Sequence, residues 1–392
     1  MYKAGFDMKL HALTDVFGDL VIYRDMNAMD ERLPRYSEAW HEMGMAGPNP
    51  PRKLDMAYAQ ALAWLLAQAQ KIAGPRRPAL SEIFYLGDTL LNDGGAFQNL
   101  RSLTGWPGWC FIGSEKDQEL QITGKDGLYQ ANRWIALADF LRQAQAEGAA
   151  IDQRTVAIVD IDKTAIGARG RNDKSIDRAR LAAIEATLSE AVGEAFKRDE
   201  FLQVYAVLNT PKYHSFTADN QDNVAYICLM LSAGVVDLDA VLARVDAQEL
   251  TDSRQFMAHV DNLRGELTPR VLALHDDIYT RARAGDPTPF KAFRRREYQE
   301  TVDRMGHLPS DARLGQRLIE EICITREVLE ASQWLRERGC LMVALSDKPD
   351  EATMPSPLLA AQGYLPLHRT PTHIVGQSIE LPAISARDGM LV

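Results

Sequence analysis

The chain has 392 residues, 46% hydrophobic and 25% charged, a balance that suits a soluble protein with room for two or three separate cores. Its net charge of -10 argues against a general nucleic-acid or anionic-membrane binder, and no apolar run approaches the length of a bilayer span. Cys110, Cys228, Cys323 and Cys340 lie far apart with no C-x-x-C pair, and the opening residues carry charges without an apolar h-region; buried free thiols and a cytoplasmic location are expected.

Residues 1–50 read as an N-terminal extension with one plausible strand at 20–23 and a Pro/Gly-rich breaker, and no chemistry is assigned to them. After Pro51 a helix is predicted, because Met56, Ala59, Leu62, Ala63, Leu66 and Ala69 recur at helical spacing before GPRRP ends the element. In IFYLGDTLLNDGGAF an apolar strand at 83–86 ends at Gly87, and Asp88 and Asp93 flank the turn into a second helix. A strand at 109–113 follows. ANRWIALADFLRQAQAEG is then an amphipathic helix, with Trp134, Leu137, Phe140 and Leu141 on one stripe and Gly148 closing it.

The stretch TVAIVDIDKT predicts a buried strand of the parallel-sheet kind that ends in two carboxylates, Asp160 and Asp162. Both can turn toward the crevice beyond the strand ends where open α/β sheets bind ligands, and such a pair suits a hard cation and an anionic substrate. Taken alone, the same residues read more readily as a polar turn capping a strand. Residues 165–325 carry helical periodicity with almost no strand character. Within them the basic run FKAFRRREY is read mainly as a solvated helix face, although Arg294, Arg295 and Arg296 are candidates to meet an anion. His214, His259, His275 and His307 lack metal-ligand spacing. The remainder, 326–392, reads as helix, strand (341–345), Ser346, helix, turn and a short third strand, THIVG.

An apolar strand followed by D-x-D-x-T, a strand ending in G-D with a second acid five residues on, an apolar strand ending in Ser, and a Lys before a helix together resemble the haloacid dehalogenase-like (HAD) phosphohydrolase superfamily. The resemblance covers residues 51–164 and 326–376. It implies a Rossmannoid parallel α/β sheet, with residues 165–325 inserted as an all-helical cap that closes over the site. In this chain the G-D motif precedes D-x-D-x-T, so the core reads as circularly permuted, with its motif strands still adjacent in space. Lys163 stands where the family commonly has Gly.

The resemblance further implies a Mg2+-dependent phosphatase acting on a small phosphorylated metabolite. Asp160 is then the nucleophile and Asp162 the general acid/base. Mg2+ is held by Asp160, the backbone carbonyl of Asp162 and Asp88, with Asp93 assisting through water. Ser346 and Lys53 stabilise charge on the phosphoryl oxygens; Lys348, Arg52 and Lys71 are alternatives to Lys53. A phosphotransferase or mutase on the same fold, and a catalytically silent HAD-like binding or regulatory protein, are the competing readings.

Overall fold

The strands in chain order are β1 (Gly5–Phe6), β2 (Val21–Ile22), β3 (Glu82–Gly87), β4 (Gly108–Gly113), β5 (Ile122–Lys125), β6 (Leu128–Ala131), β7 (Thr155–Asp160), β8 (Ile324–Thr325), β9 (Leu341–Leu345) and β10 (Ile374–Gly376). The computed structural model describes residues 5–6, 9–116 and 118–381; the rest of the charged opening stretch and the tail from 382 onward lie outside the described residues. Seven strands form one sheet in the order β2-β9-β7-β3-β4-β6-β5. All its pairings are parallel except the β5–β6 hairpin. The protein is thus α/β with a mostly parallel central sheet.

The apolar runs explain the centre. β3, β7 and β9 are buried along their whole length, as expected for strands covered on both faces. On one face lies the helix Met56–Ala73, whose buried Leu62, Leu65 and Leu66 share a core with Ile83, Tyr85, Val156, Ile158 and Val343. The helix Leu137–Ala146 buries Leu137, Phe140 and Leu141, the stripe read from periodicity. β7 sits between β3 and β9, with Val159 opposite both Leu86 and Ala344. Three strand ends that carry acids or Ser are therefore side by side.

Two strands differ from expectation. THIVG does not join the main sheet: β10 pairs in parallel with β8 and antiparallel with β1 in a separate three-stranded sheet. The free edge of β9 is taken instead by β2, from the segment given no role, with Val21 opposite Ala344 and Ile22 opposite Leu345. The hairpin β5–β6 was not foreseen. Its turn residues Asp126 and Gly127 both have positive φ, 53° and 82°, the backbone that an Asp-Gly pair favours in a tight hairpin.

The chain divides into two compact units, Met1–Asp177 with Thr301–Val392, and Arg178–Glu300. The second is helical and shorter than the 165–325 stretch. Residues flanking it belong to the sheet unit: the Asn172 side chain donates to the Leu318 and Glu321 carbonyls at 2.9 Å each, and Gly167 donates to Cys323 at 2.8 Å. The helical unit has its own core around Phe201, Tyr226, Ile227, Phe256, Val260 and Ile278. Arg294, expected on a solvated face, is 7% exposed. Its guanidinium is held by Asp222 at 2.5 Å and Glu297 at 2.6 Å, because a buried charge must be paired. Arg295 is exposed. The four cysteines are buried and free, and among the described residues no helix is long and apolar enough to cross a membrane.

Candidate functional site

Parallel strands deliver their carboxyl ends to one side of the sheet, and three neighbouring ends place polar groups there. β7 ends at Asp160, whose carboxylate is almost fully buried. Next to it, β3 ends at Gly87, followed by Asp88 and the wide π-turn Leu90–Gly94 that carries Asp93. The turn folds back so closely that a Cβ on Gly87 would lie 2.4 Å from Cβ of Asp93; the glycine makes room for the acid. One carboxylate oxygen each from Asp88, Asp93 and Asp160 lies within 4.8 Å of the others, a cluster of hard oxygen donors that one divalent cation can draw together.

Lys53 is buried at the centre, just before the helix Met56–Ala73. Its Nζ donates to Asp93 Oδ1 at 2.6 Å and to Asp160 Oδ1 at 2.8 Å. Burial pulls the lysine pKa down, but Asp160 and Asp93 outweigh it and hold the ammonium well above its usual range. For Asp93 burial acts upward, and Lys53 with the backbone N–H groups of Thr89 and Asp88 overcomes it, so this carboxyl lies below its ordinary value. Asp93 is saturated: its Oδ2 accepts from Asp88 N at 3.0 Å, Thr89 N at 2.9 Å and Thr89 Oγ1 at 3.2 Å. Its direct work is to hold Lys53 and the turn.

The other two acids are raised. Burial, reinforced by Asp93, pushes Asp160 well above the carboxylate range, with Lys53 opposing. Burial and then Asp93 push Asp88 up to about 7 against the pull of Arg169. Two like charges this close in a dry setting cost free energy that a cation would relieve. On the other side, β9 ends at Leu345, and Ser346 Oγ donates to Asp162 Oδ2 at 2.8 Å. Lys348 Nζ lies 3.5 Å from Asp162 Oδ1, an oxygen that is buried and has no hydrogen-bond partner among the described residues. No family model, curated protein or solved structure matches this chain. The site therefore stands on its own geometry.

That geometry brings Asp160, Asp162, Asp88, Asp93, Lys53 and Ser346 together at one end of the sheet. It separates the competing lysines: Lys53 meets Asp160, Lys348 meets Asp162, and Arg52 and Lys71 are exposed. Three further contributors were not read from the sequence. Thr164 Oγ1 donates to Asp160 Oδ2 at 3.1 Å, and Thr89 ties down Asp93. Arg169 pairs with Asp88 at 2.5 Å. Thr164 was visible as the last letter of D-x-D-x-T, whereas a lone Arg nine positions after a strand carries no signal. In the helical unit Asp261, His275 and Asp276 also approach one another. There, Arg264 already spans both carboxylates and Tyr226 holds His275 at 2.7 Å, so the cluster satisfies itself.

Proposed function

We propose that this protein is a Mg2+-dependent phosphatase of a small phosphorylated metabolite, built on a HAD-like core in permuted chain order with the helical unit inserted in its sequence. The observation that carries the reading is the convergence at Asp160: Lys53 at 2.8 Å, Asp88 and Asp93 from β3, and the Asp162–Ser346 pair bridging to β9. Four stretches scattered along the chain meet there in the roles a phosphoryl-transfer site needs.

Asp160 is the nucleophile. Lys53 holds one of its oxygens and Thr164 the other, so the carboxylate cannot rotate away from the line of attack. As an Asp160 oxygen bonds to phosphorus, the bond to the leaving oxygen breaks and Asp162 supplies that oxygen with a proton. Asp162 then takes a proton from water, the water oxygen attacks phosphorus, and the aspartyl-phosphate bond breaks to release inorganic phosphate. Ser346 occupies Oδ2 of Asp162, which leaves Oδ1, 3.5 Å from Lys348 Nζ, as the oxygen that exchanges the proton. Lys53 and Ser346 stabilise charge on the transferring group, about 3 kcal/mol for each well-placed donor. Asp160, Asp88 and the backbone carbonyl of Asp162 would hold Mg2+, which supplies the positive charge that lets a carboxylate approach a phosphate.

A panel of phosphomonoesters assayed with and without Mg2+ tests this. Asp160→Asn should lower turnover roughly a thousandfold or more; undiminished turnover would end the assignment. Phosphate counted in solution, against phosphate found on an added acceptor, separates hydrolysis from transfer.

A further inference from the structure

Among the described residues, Arg169 is the cation at the site whose place is hardest to explain as packing. Its backbone is pinned: N donates to the Lys163 carbonyl at 2.8 Å, and its own carbonyl accepts from Glu115 N at 2.8 Å and Trp134 Nε1 at 3.2 Å. Gly170 fixes the turn beside it, with φ +79° and a virtual Cβ 2.1 Å from the Glu115 carbonyl oxygen. The side chain is different. It is 36% exposed, and among the described residues its guanidinium bonds only to Asp88. Arg171, two residues on, shows what a structural arginine looks like here: it is 10% exposed and forked between Glu115 and Glu327 at 2.8 Å each.

Among the described residues, the partner of the Arg169 guanidinium is the carboxylate that a divalent cation would need. Both guanidinium contacts fall on Asp88 Oδ2; a cation drawn onto the same carboxylate takes up its negative charge, so Asp88 cannot hold both at full strength. Resting on the phosphatase reading above, we propose that Arg169 is a phosphate-binding residue of exchangeable partnership. In the metal-free protein it neutralises Asp88; when a divalent cation takes Asp88, the released guanidinium turns on its fixed backbone to fork two oxygens of the substrate phosphate. An arginine suits this exchange, since its planar donors match carboxylate and phosphate alike. The arrangement couples the two ligands: the cation frees the phosphate's partner, and the phosphate keeps that partner from returning to Asp88.

The test reads cation binding and phosphate binding separately, on the full chain in alkaline buffer, by calorimetry with Mg2+ alone and by competitive inhibition with inorganic phosphate. Arg169→Met removes the competitor, so Mg2+ should bind roughly tenfold tighter, the usual size of a coupling between two ligands. The same variant should raise KM for the phosphomonoester and weaken inorganic phosphate about tenfold or more, the worth of a charged hydrogen-bonding pair. Arg169→Lys should restore part of both. A thermal scan in chelator confirms that the variants fold. Mg2+ affinity that falls or stays within twofold, or an unchanged phosphate constant in a folded variant, would overturn the proposal while leaving the Asp160 chemistry standing. No Mg2+ binding by the parent or either variant would instead overturn the site reading and this inference with it.

Discussion

Lys53 is the single atom-scale joint of the site. Its ammonium lies between two buried carboxylates at 2.6 and 2.8 Å. Lys53→Met should therefore lower stability by about 3–5 kcal/mol, the cost of stranding buried charge. Urea unfolding with an unchanged m value would measure it, and a loss below about 1 kcal/mol would show that the acids relax by protonation. Asp88 contributes one defined part of the pH dependence. Its folded pKa, about 7, exceeds its ordinary value of 3.8, so the folded state binds the extra proton. The share of metal-free stability that Asp88 contributes should then be lost as pH rises from about 4 through about 7. On the proposed reading Mg2+ needs the ionised carboxylate, so a Tm gain from added Mg2+ should grow over the same window. A Tm gain independent of pH would place the cation elsewhere. Lys163 holds a left-handed φ of 62° and pairs with Asp177 at 2.8 Å. Lys163→Gly removes about 1 kcal/mol of backbone strain and loses a half-exposed ion pair worth less, so a slight rise in Tm is expected.

At the scale of elements, the turn after β3 matters more than its length suggests. Gly87→Ala would press a methyl group into Asp93 at 2.4 Å. Displacing Asp93 releases Lys53 and opens the cluster, so turnover and Mg2+ binding should fall together while the protein loses only about 1–3 kcal/mol. Retained Mg2+ affinity in a folded Gly87→Ala protein would mean that Asp93 does not organise the turn. The same elements show what could be read beforehand. Strands β3, β7 and β9 were legible because full burial writes itself as continuous apolar runs, and the acids and Ser at their ends were legible as motifs. β2 was hard to place because a two-residue edge strand has no periodicity. β10 was recognised as a strand but its sheet was not, since partner choice is decided by distant residues. The hairpin turn Asp126-Gly127 carried a usable signal that helical periodicity nearby obscured. Arg169 and the saturation of Asp93 depend on backbone positions that no spacing rule encodes.

At the scale of the whole molecule, two separately cored units share one chain that leaves the sheet unit at Asp177 and returns at Thr301. Cation binding to the acidic cluster should stabilise the unit that contains it. Hydrogen exchange with added Mg2+ should slow at residues 85–93 and 158–164, while the core amides of Gln221–Ser232 keep their rates. Equal slowing in both would argue that the units unfold as one.

The pairing of β7 with β9 has a consequence for how the protein is made. The Asp162–Ser346 bond closes a loop of 184 residues, and the helices of Arg178–Glu300 are all translated inside that loop. They can gather around local partners while β7 still presents a bare edge, since domains fold as units during synthesis. Until Leu341–Leu345 leaves the ribosome, the nascent chain holds Asp160 and Asp162 without the neighbouring strand and the Ser346 hydroxyl that meet them in the folded protein.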